Sequence, residues 1–374
     1  MLQIRLPLPR FVSAGEVFSG PGSLGALRAL DASKAAVLVS PSVLTKHRGA
    51  LERAIGAEAL MLIEMPRGEP TLDVLTPILA QLETFQPDWI IAVGGGSVID
   101  GAKSAWVLYE HPAVARDRLF RMGGVPTLRG KAKFAAAPTT AGTGSEVSSS
   151  ALLIDSETGT KRALISHELL PDVVVLDPQL AIGCSPMVIA HAGLDALAHA
   201  VESYGSRLEN TLADVLAEKA AAEIFSALPD YWRTPDDEGL AQRLMNAALL
   251  AGWVQNQKVP GIGHAIAHQL GCYGVAHGQA TGQLLASAIR FNCGNSATRS
   301  KYDVLAAVLG FNNSAGLIDQ IQVLVSLLEV EALPNKIHTN LGQITVGALE
   351  DPCARMNPRD VDAAAVAEVL EASR

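Results

Sequence analysis

The chain has 374 residues, 49% hydrophobic, 18% charged and 5% aromatic, with a formal net charge of −9. Its length exceeds the roughly 250–300 residues at which a single core stops growing, so two domains are expected, and the apolar content excludes disorder. The acidic balance, with Lys and Arg scattered, speaks against nucleic acid or an anionic membrane surface as a partner.

The opening segment MLQIRLPLPRF carries charges and prolines in place of an apolar leader core. No later stretch reaches the roughly 18 uncharged apolar residues of a membrane helix. Cys184, Cys272, Cys293 and Cys353 form no CxxC pair and no dense disulfide spacing. A protein of the reducing cytoplasm is expected.

Between about residues 34 and 180, short apolar runs alternate with helical patterns: AAVLVS (35–40), ALMLIEM (59–65), DWIIAVGG (88–95), FAAAP (134–138) and DVVVLD (172–177). This is the rhythm of a mostly parallel sheet covered by helices on both faces, which is why Val173-Val174-Val175-Leu176 shows no polar alternation. After about residue 186 long Ala/Leu segments of 3.6-residue period take over, as in VIAHAGLDALAHAVESY and ENTLADVLAEKAAAEIFSAL. The boundary falls at Ser185-Pro186, giving an α/β domain over residues 1–184 and a helical domain over 185–374. TPDDEG (234–239) reads as a surface turn between helices.

Two loops suit a dinucleotide. Ile90-Ile91-Ala92-Val93 runs into Gly94-Gly95-Gly96 and then a helix start, where small residues let a pyrophosphate approach free backbone N–H groups. Ser97 reads as the helix cap and Asp100 as a polar anchor of the turn. Pro138-Thr139-Thr140-Ala141-Gly142-Thr143-Gly144-Ser145-Glu146 likewise follows an apolar strand, with hydroxyls for phosphate, ribose or amide. Each loop alone fits a ligand-free turn equally well; together they favour a dinucleotide crevice.

In GLDALAH, Asp195 and His199 lie one helical turn apart on one face, with Glu202 on nearly the same stripe as an orienting group. His264, His268 and His277 follow as H-x3-H-x8-H among glycines, and His191, one turn before Asp195, is a rival donor. A single histidine in such a helix is usually structural. Several at this spacing beside an aspartate favour a catalytic cation, Fe(II) or Zn(II), and the missing thiolates argue against a structural zinc.

GGGSVID, PTTAGTGSE, GLDALAHAVE and the HAIAHQLG stretch occur in the order and near spacing of the iron-containing (group III) alcohol dehydrogenases, which the chain resembles over residues about 10 to 300. The resemblance implies a dehydroquinate synthase-like architecture: an N-terminal Rossmann-like α/β domain and an all-α C-terminal domain, assembled as a homodimer. It implies Asp195, His199, His264 and His277 as metal ligands and His268 as the group in proton transfer. Around the cofactor it places Gly95, Gly96, Ser97, Asp100, Thr139, Thr140, Thr143, Ser145 and Lys161. The implied reaction is hydride exchange between NAD(P) and a small alcohol or aldehyde whose oxygen a divalent metal polarises.

Four positions depart from the family pattern. The His268 to His277 interval is one residue short, Ser185 stands at a usual proline, and Gln257-Lys258 replaces a frequent Asn-Ala. After VLVS, Pro41 flanked by Ser40 and Ser42 stands where NAD-preferring members carry an aspartate. Without that carboxylate a 2′-phosphate is not repelled, so NADPH is expected to be accepted, with a leaning towards it over NADH. Ser149 and Lys258 are candidate substrate contacts, the lysine for an anionic tail, although a solvated lysine is the commoner outcome. The competing readings are a metal-independent reductase resembling maleylacetate reductase, whose relatives carry Asn where this chain has Asp195, and a non-catalytic NAD(P)-binding protein.

Overall fold

The structure, a computed structural model, describes residues 12–121, 123–154 and 161–374, with the backbone alone for Arg116, Lys161 and His338. MLQIRLPLPRF lies outside the described residues. Among the described residues eight strands form where apolar or β-branched runs are bounded by turn residues: β1 Glu16–Ser19, β2 Lys34–Val39, β3 Ala59–Glu64, β4 Trp89–Gly94, β5 Lys133–Pro138, β6 Ser150–Ile154, β7 Lys161–Ile165 and β8 Val173–Leu176. Six build one parallel sheet in the order β1-β8-β5-β4-β2-β3, while β6 and β7 pair as a separate antiparallel hairpin. The five expected runs are β2, β3, β4, β5 and β8. The short β1, mostly exposed, carries no periodic signal and exists by pairing with β8 at the sheet edge.

Helices α1 Pro41–Ala54, α2 Leu72–Phe85, α3 Gly96–Glu110 and the short α4 Arg116–Leu119 accompany the sheet. Ala36, Leu38, Ile90, Ala92, Phe134 and Ala136 pack in one core with residues of α2 and α3. The alternate residues Ala35, Val37, Val39, Ile91, Val93 and Ala137 pack in another with Val43 and Leu51 of α1. Burial on both faces removes any need for polar alternation. From β2 the chain passes outward to β3 and then returns to the other side as β4, so the carboxyl ends of β2 and β4 flank the point where strand order reverses, the usual ligand crevice of such sheets.

From Pro186 onward the described chain is helical: α5 Pro186–Gly205, α6 Thr211–Arg233, α7 Glu238–Lys258, α8 Ile262–Leu270, α9 His277–Asn292, α10 Ser296–Val308, α11 Ser314–Leu327, α12 Lys336–Thr339, α13 Leu341–Glu350, α14 Pro352–Met356 and α15 Ala363–Glu371. Ser185 caps α5, its hydroxyl accepting from Val188 N at 3.3 Å, and Pro186 occupies the first turn, where its missing N–H loses no bond. Residues 234–237 join α6 to α7. α5 is buried along most of its length among α6, α7 and α9, and a second core joins α8, α9, α13 and α15. Among the described residues no helix is long and apolar enough to cross a membrane.

Candidate active site

The β5 loop is clamped between the two halves. Gly144 has φ +64°, and a Cβ there would lie 2.5 Å from the Cα of Gly252 in α7, so glycine on both sides lets backbone meet backbone. Gln255 Nε2 donates to Thr143 O at 3.0 Å, and Ser149 N donates to Asn256 Oδ1 at 2.9 Å. Across the crevice, Thr143 lies against Gly96 and Thr140 against Gly95, which brings the two glycine-bearing loops face to face beside the first turn of α3. Ser40 sits at the neighbouring carboxyl end of β2; its hydroxyl caps α1 through Val43 N at 3.4 Å and lies 3.2 Å from Ser42 Oγ.

Several details differ from the sequence expectation. The N-cap of α3 is Gly95, with no side-chain cap bond, and Ser97 is an exposed residue of the first turn. Asp100 is buried and its Oδ2 accepts from Leu152 N at 3.1 Å, which ties β6 to α3. Ser149 also directs its hydroxyl to Asn256, making it a tie between the halves. The side chain of Lys161 lies outside the described residues. Lys258 does not face the crevice: its ammonium is fully buried, donates to Tyr204 O at 2.9 Å and pairs with Asp214, because the end of α7 turns into the helical core.

The imidazole cluster is assembled by three helices. α9 lies backbone-close to α5, since a Cβ at Gly278 would lie 2.1 Å from His191 O. That approach sets His277 Nε2 3.4 Å from Asp195 Oδ1. His264 Nε2 lies 3.8 Å from the same oxygen and His199 Nδ1 3.9 Å from Oδ2. These separations fit the edges of a polyhedron around one ion with bonds of about 2.0–2.2 Å. Asp195, His199 and His264 are all buried and offer donor atoms within 4.8 Å of one another; neither His191 nor His277 is in that group, and His277 reaches it through its 3.4 Å approach to Asp195.

Glu202 holds this arrangement from behind. Its Oε1 takes the His264 Nδ1 edge at 2.8 Å, and Oε2 accepts from Gly261 N at 3.1 Å and Gly263 N at 3.0 Å at the start of α8. A Cβ at Gly263 would lie 2.6 Å from the carboxylate, so glycine makes room for it. Thr281 Oγ1 donates to Asp195 Oδ1 at 3.1 Å. Among the described residues the buried His199 Nδ1 and His264 Nε2 have no hydrogen-bond partner, a costly state that a cation would relieve.

Burial, against the pull of Asp195, drives His199 down to about 3, so its ring is neutral and a competent ligand near pH 7. Burial also opposes charge on His264, but Glu202 and Asp195 outweigh it and raise that ring above its ordinary value. The same negative field suits a bound cation. His268 lies beside the cluster, its ring stacked on His277 at 5.2 Å and 10° and edge-on to His264 at 6.1 Å.

Two participants escaped sequence reasoning. Lys103, fully buried in α3, donates to Ser145 O and Ser148 O at 2.7 Å each and to Ser150 O at 3.1 Å, stitching the segment after β5 to α3. A lone lysine in the otherwise small and apolar helix GSVIDGAKSAWVL, one turn after Asp100, was the available signal. Asp351, between α13 and α14, accepts from His268 Nδ1 at 2.8 Å and lies beyond every motif read from the chain; nothing in the sequence pairs the two.

A parallel sheet with a glycine crevice, joined to a helical half that presents one carboxylate and converging imidazoles, defines an NAD(P)-linked, metal-dependent oxidoreductase acting on CH–OH groups. Residues 14–178 match the family described as iron-containing alcohol dehydrogenase, and residues 189–374 match the Fe-containing alcohol dehydrogenase family, C-terminal. The chain is 31% identical to an NADPH-dependent butanol dehydrogenase of Clostridium saccharobutylicum, covering 97% of each, and 33% identical to a 1-propanol dehydrogenase of Salmonella typhimurium, covering 81% of this chain and 82% of the relative. An iron-containing alcohol dehydrogenase from Thermococcus thioreducens superimposes with a TM-score of 0.91 at 27% identity, over 97% of this chain and 99% of that one. A 1,3-propanediol oxidoreductase gives 0.90 at 26% identity, over 98% and 100%. The chain belongs to the iron-containing alcohol dehydrogenase family.

Proposed function

We propose that this enzyme interconverts small uncharged aldehydes and alcohols, with NADPH preferred over NADH and a single divalent cation held by Asp195, His199, His264 and His277. The observation that carries the reading is the convergence of Asp195, His199 and His264, with His277 3.4 Å from the same carboxylate and two buried ring nitrogens unbonded among the described residues. When bound, the metal supplies Lewis-acid polarisation of the substrate oxygen and the nicotinamide supplies or receives the hydride. The protein's residues do the rest. Glu202 fixes the His264 ring and Thr281 the Asp195 carboxylate, so the ligand set is pre-oriented. His268 gives or takes the proton at the substrate oxygen. The face-to-face loops at Gly95, Gly96, Thr140 and Thr143 hold the dinucleotide, with the first free N–H groups of α3 towards its phosphates.

The cofactor preference rests on the end of β2. From Ser40 to Glu52 there is no earlier carboxylate, two hydroxyls stand at the turn, and Lys46 follows one turn after Ser42. That environment accepts a 2′-phosphate. The NADPH-dependent butanol dehydrogenase relative points the same way. With Lys258 turned into the core, no observation favours an anionic tail. The carboxylate at Asp195 favours the metal-dependent reaction over a metal-free one.

Steady-state kinetics test both parts. The expected result is a higher kcat/KM with NADPH than with NADH on propanal or butanal, with carboxylated aldehydes poorer substrates, and loss of turnover on chelation that a divalent metal restores. An NADH preference would overturn the cofactor assignment, and full activity in chelated enzyme would overturn the metal's role.

A further inference from the structure

α13 and α14 pack on α8, with Ile344, Ala348, Cys353 and Ala354 in one core with Ile262 and Ala265. This layer carries the turn at Asp351 up to the exposed side of His268. Asp351 uses both oxygens: Oδ2 takes the His268 Nδ1 edge at 2.8 Å, while Oδ1 accepts from Cys353 N at 2.8 Å as the cap of α14. The side chains of the pair are 15% and 12% exposed. His268, Asp351 and Cys353 offer donor atoms within 4.8 Å of one another, spacing that would also suit an ion. Their mutual hydrogen bonds already occupy Nδ1 and both oxygens, so the group works as a holder for the ring and not as a second metal centre.

We propose that Asp351 is the positioning residue for His268, accepting its Nδ1–H so that the opposite nitrogen, Nε2, is the one presented to the substrate space beside His277. An imidazole's two nitrogens lie on opposite edges, so anchoring one fixes both the tautomer and the aim of the other. The proton then passes between Nε2 and the substrate oxygen, while the hydride passes between carbon and the nicotinamide. This rests on the reading of His268 as proton carrier. The layer that supplies Asp351 is thereby part of the active site although it lies far from the glycine turns and the aspartate helix in sequence.

The test is a double-mutant cycle on metal-loaded enzyme with Asp351→Ser, His268→Ala and the two combined. Serine keeps an oxygen able to cap α14 and is too short to hold the ring. A positioned proton-transfer group contributes about 10²–10⁴-fold, so Asp351→Ser is expected to lower kcat by about tenfold or more. The KM for NADPH and the metal-to-protein ratio are expected to stay within about twofold, and Asp351→Glu to recover part of the loss. In the His268→Ala background the serine change should have no further effect, since the two act as a unit. Independent, multiplying losses would overturn the proposal, as would a wild-type kcat in Asp351→Ser alongside an impaired His268→Ala. An unimpaired His268→Ala would instead sink the proton-carrier reading beneath it. If Asp351→Ser melts several degrees early, Asp351→Asn, which keeps the cap and the volume, carries the same cycle with the same outcomes.

Discussion

Lys103→Met removes the ammonium that joins α3 to the segment after β5 while keeping nearly the same length of apolar chain. The carbonyls of Ser145, Ser148 and Ser150 then lose a donor they meet at 2.7, 2.7 and 3.1 Å. Ser150 O keeps Ser148 Oγ at 3.0 Å and Ser145 O keeps Ser148 N at 3.4 Å, so Ser148 O is the carbonyl that loses its donor outright, at about 1–3 kcal/mol. Against this stands the relief of no longer burying a charge, several kcal/mol, visible in the way burial pushes the Lys103 ammonium down to about 8. The net destabilisation of the α/β half is expected at about 3–5 kcal/mol, the range when one partner of a buried charge pair is removed, because the ammonium also offsets the buried Asp100 carboxylate. Because Thr140 and Thr143 ride on the same loop opposite Gly95 and Gly96, the KM for NADPH should rise together with the loss of stability. Urea unfolding, followed through Trp89 and Trp106 in this half, and cofactor titration measure both. A variant within about 1 kcal/mol of wild type, with unchanged KM, would refute the reasoning.

Glu202→Gln should weaken metal affinity by about 10–100-fold, read by chelator competition, because an amide cannot accept from His264 and from the α8 backbone at once; unchanged affinity would remove His264 from the ligand set. Lys258→Met should destabilise the helical half by roughly 2–3 kcal/mol in urea, with the ratio of activities on charged and neutral aldehydes unchanged, since Asp214 is left 23% exposed and its partner was never in the crevice. Burial raises Glu146 from 4.5 to about 7, so the folded state holds a proton that the unfolded state releases between those values. Its contribution is therefore full below pH 4.5 and lost as pH rises through about 7, a fall of up to about 3 kcal/mol that Glu146→Gln should flatten in a stability-against-pH series.

The parallel sheet was legible because doubly buried strands must be apolar throughout, and the helical half because its period is carried by alanine and leucine. β1 and the β6–β7 hairpin were not: each is four or five residues long and owes its conformation to a partner distant in sequence or paired across a turn. Asp195, His199 and Glu202 could be placed on one face from helical spacing alone. Their approach to His264 and His277 depends on glycine-mediated helix contacts, which spacing does not state. Lys258 shows the limit most clearly. A lysine at a helix end is ordinarily solvated, and here two tertiary partners, Tyr204 O and the Asp214 carboxylate forty-four residues earlier, hold it inward.

Elemental analysis of anaerobically purified protein, made on wild type, His199→Ala, His264→Ala and His268→Ala side by side, bears most directly on the central claim. Wild type and His268→Ala should each carry close to one divalent ion per chain, and the other two variants should carry almost none. Full metal content in His264→Ala, or the same loss in His268→Ala as in His264→Ala, would contradict the assignment of the four ligands and the separate role given to His268.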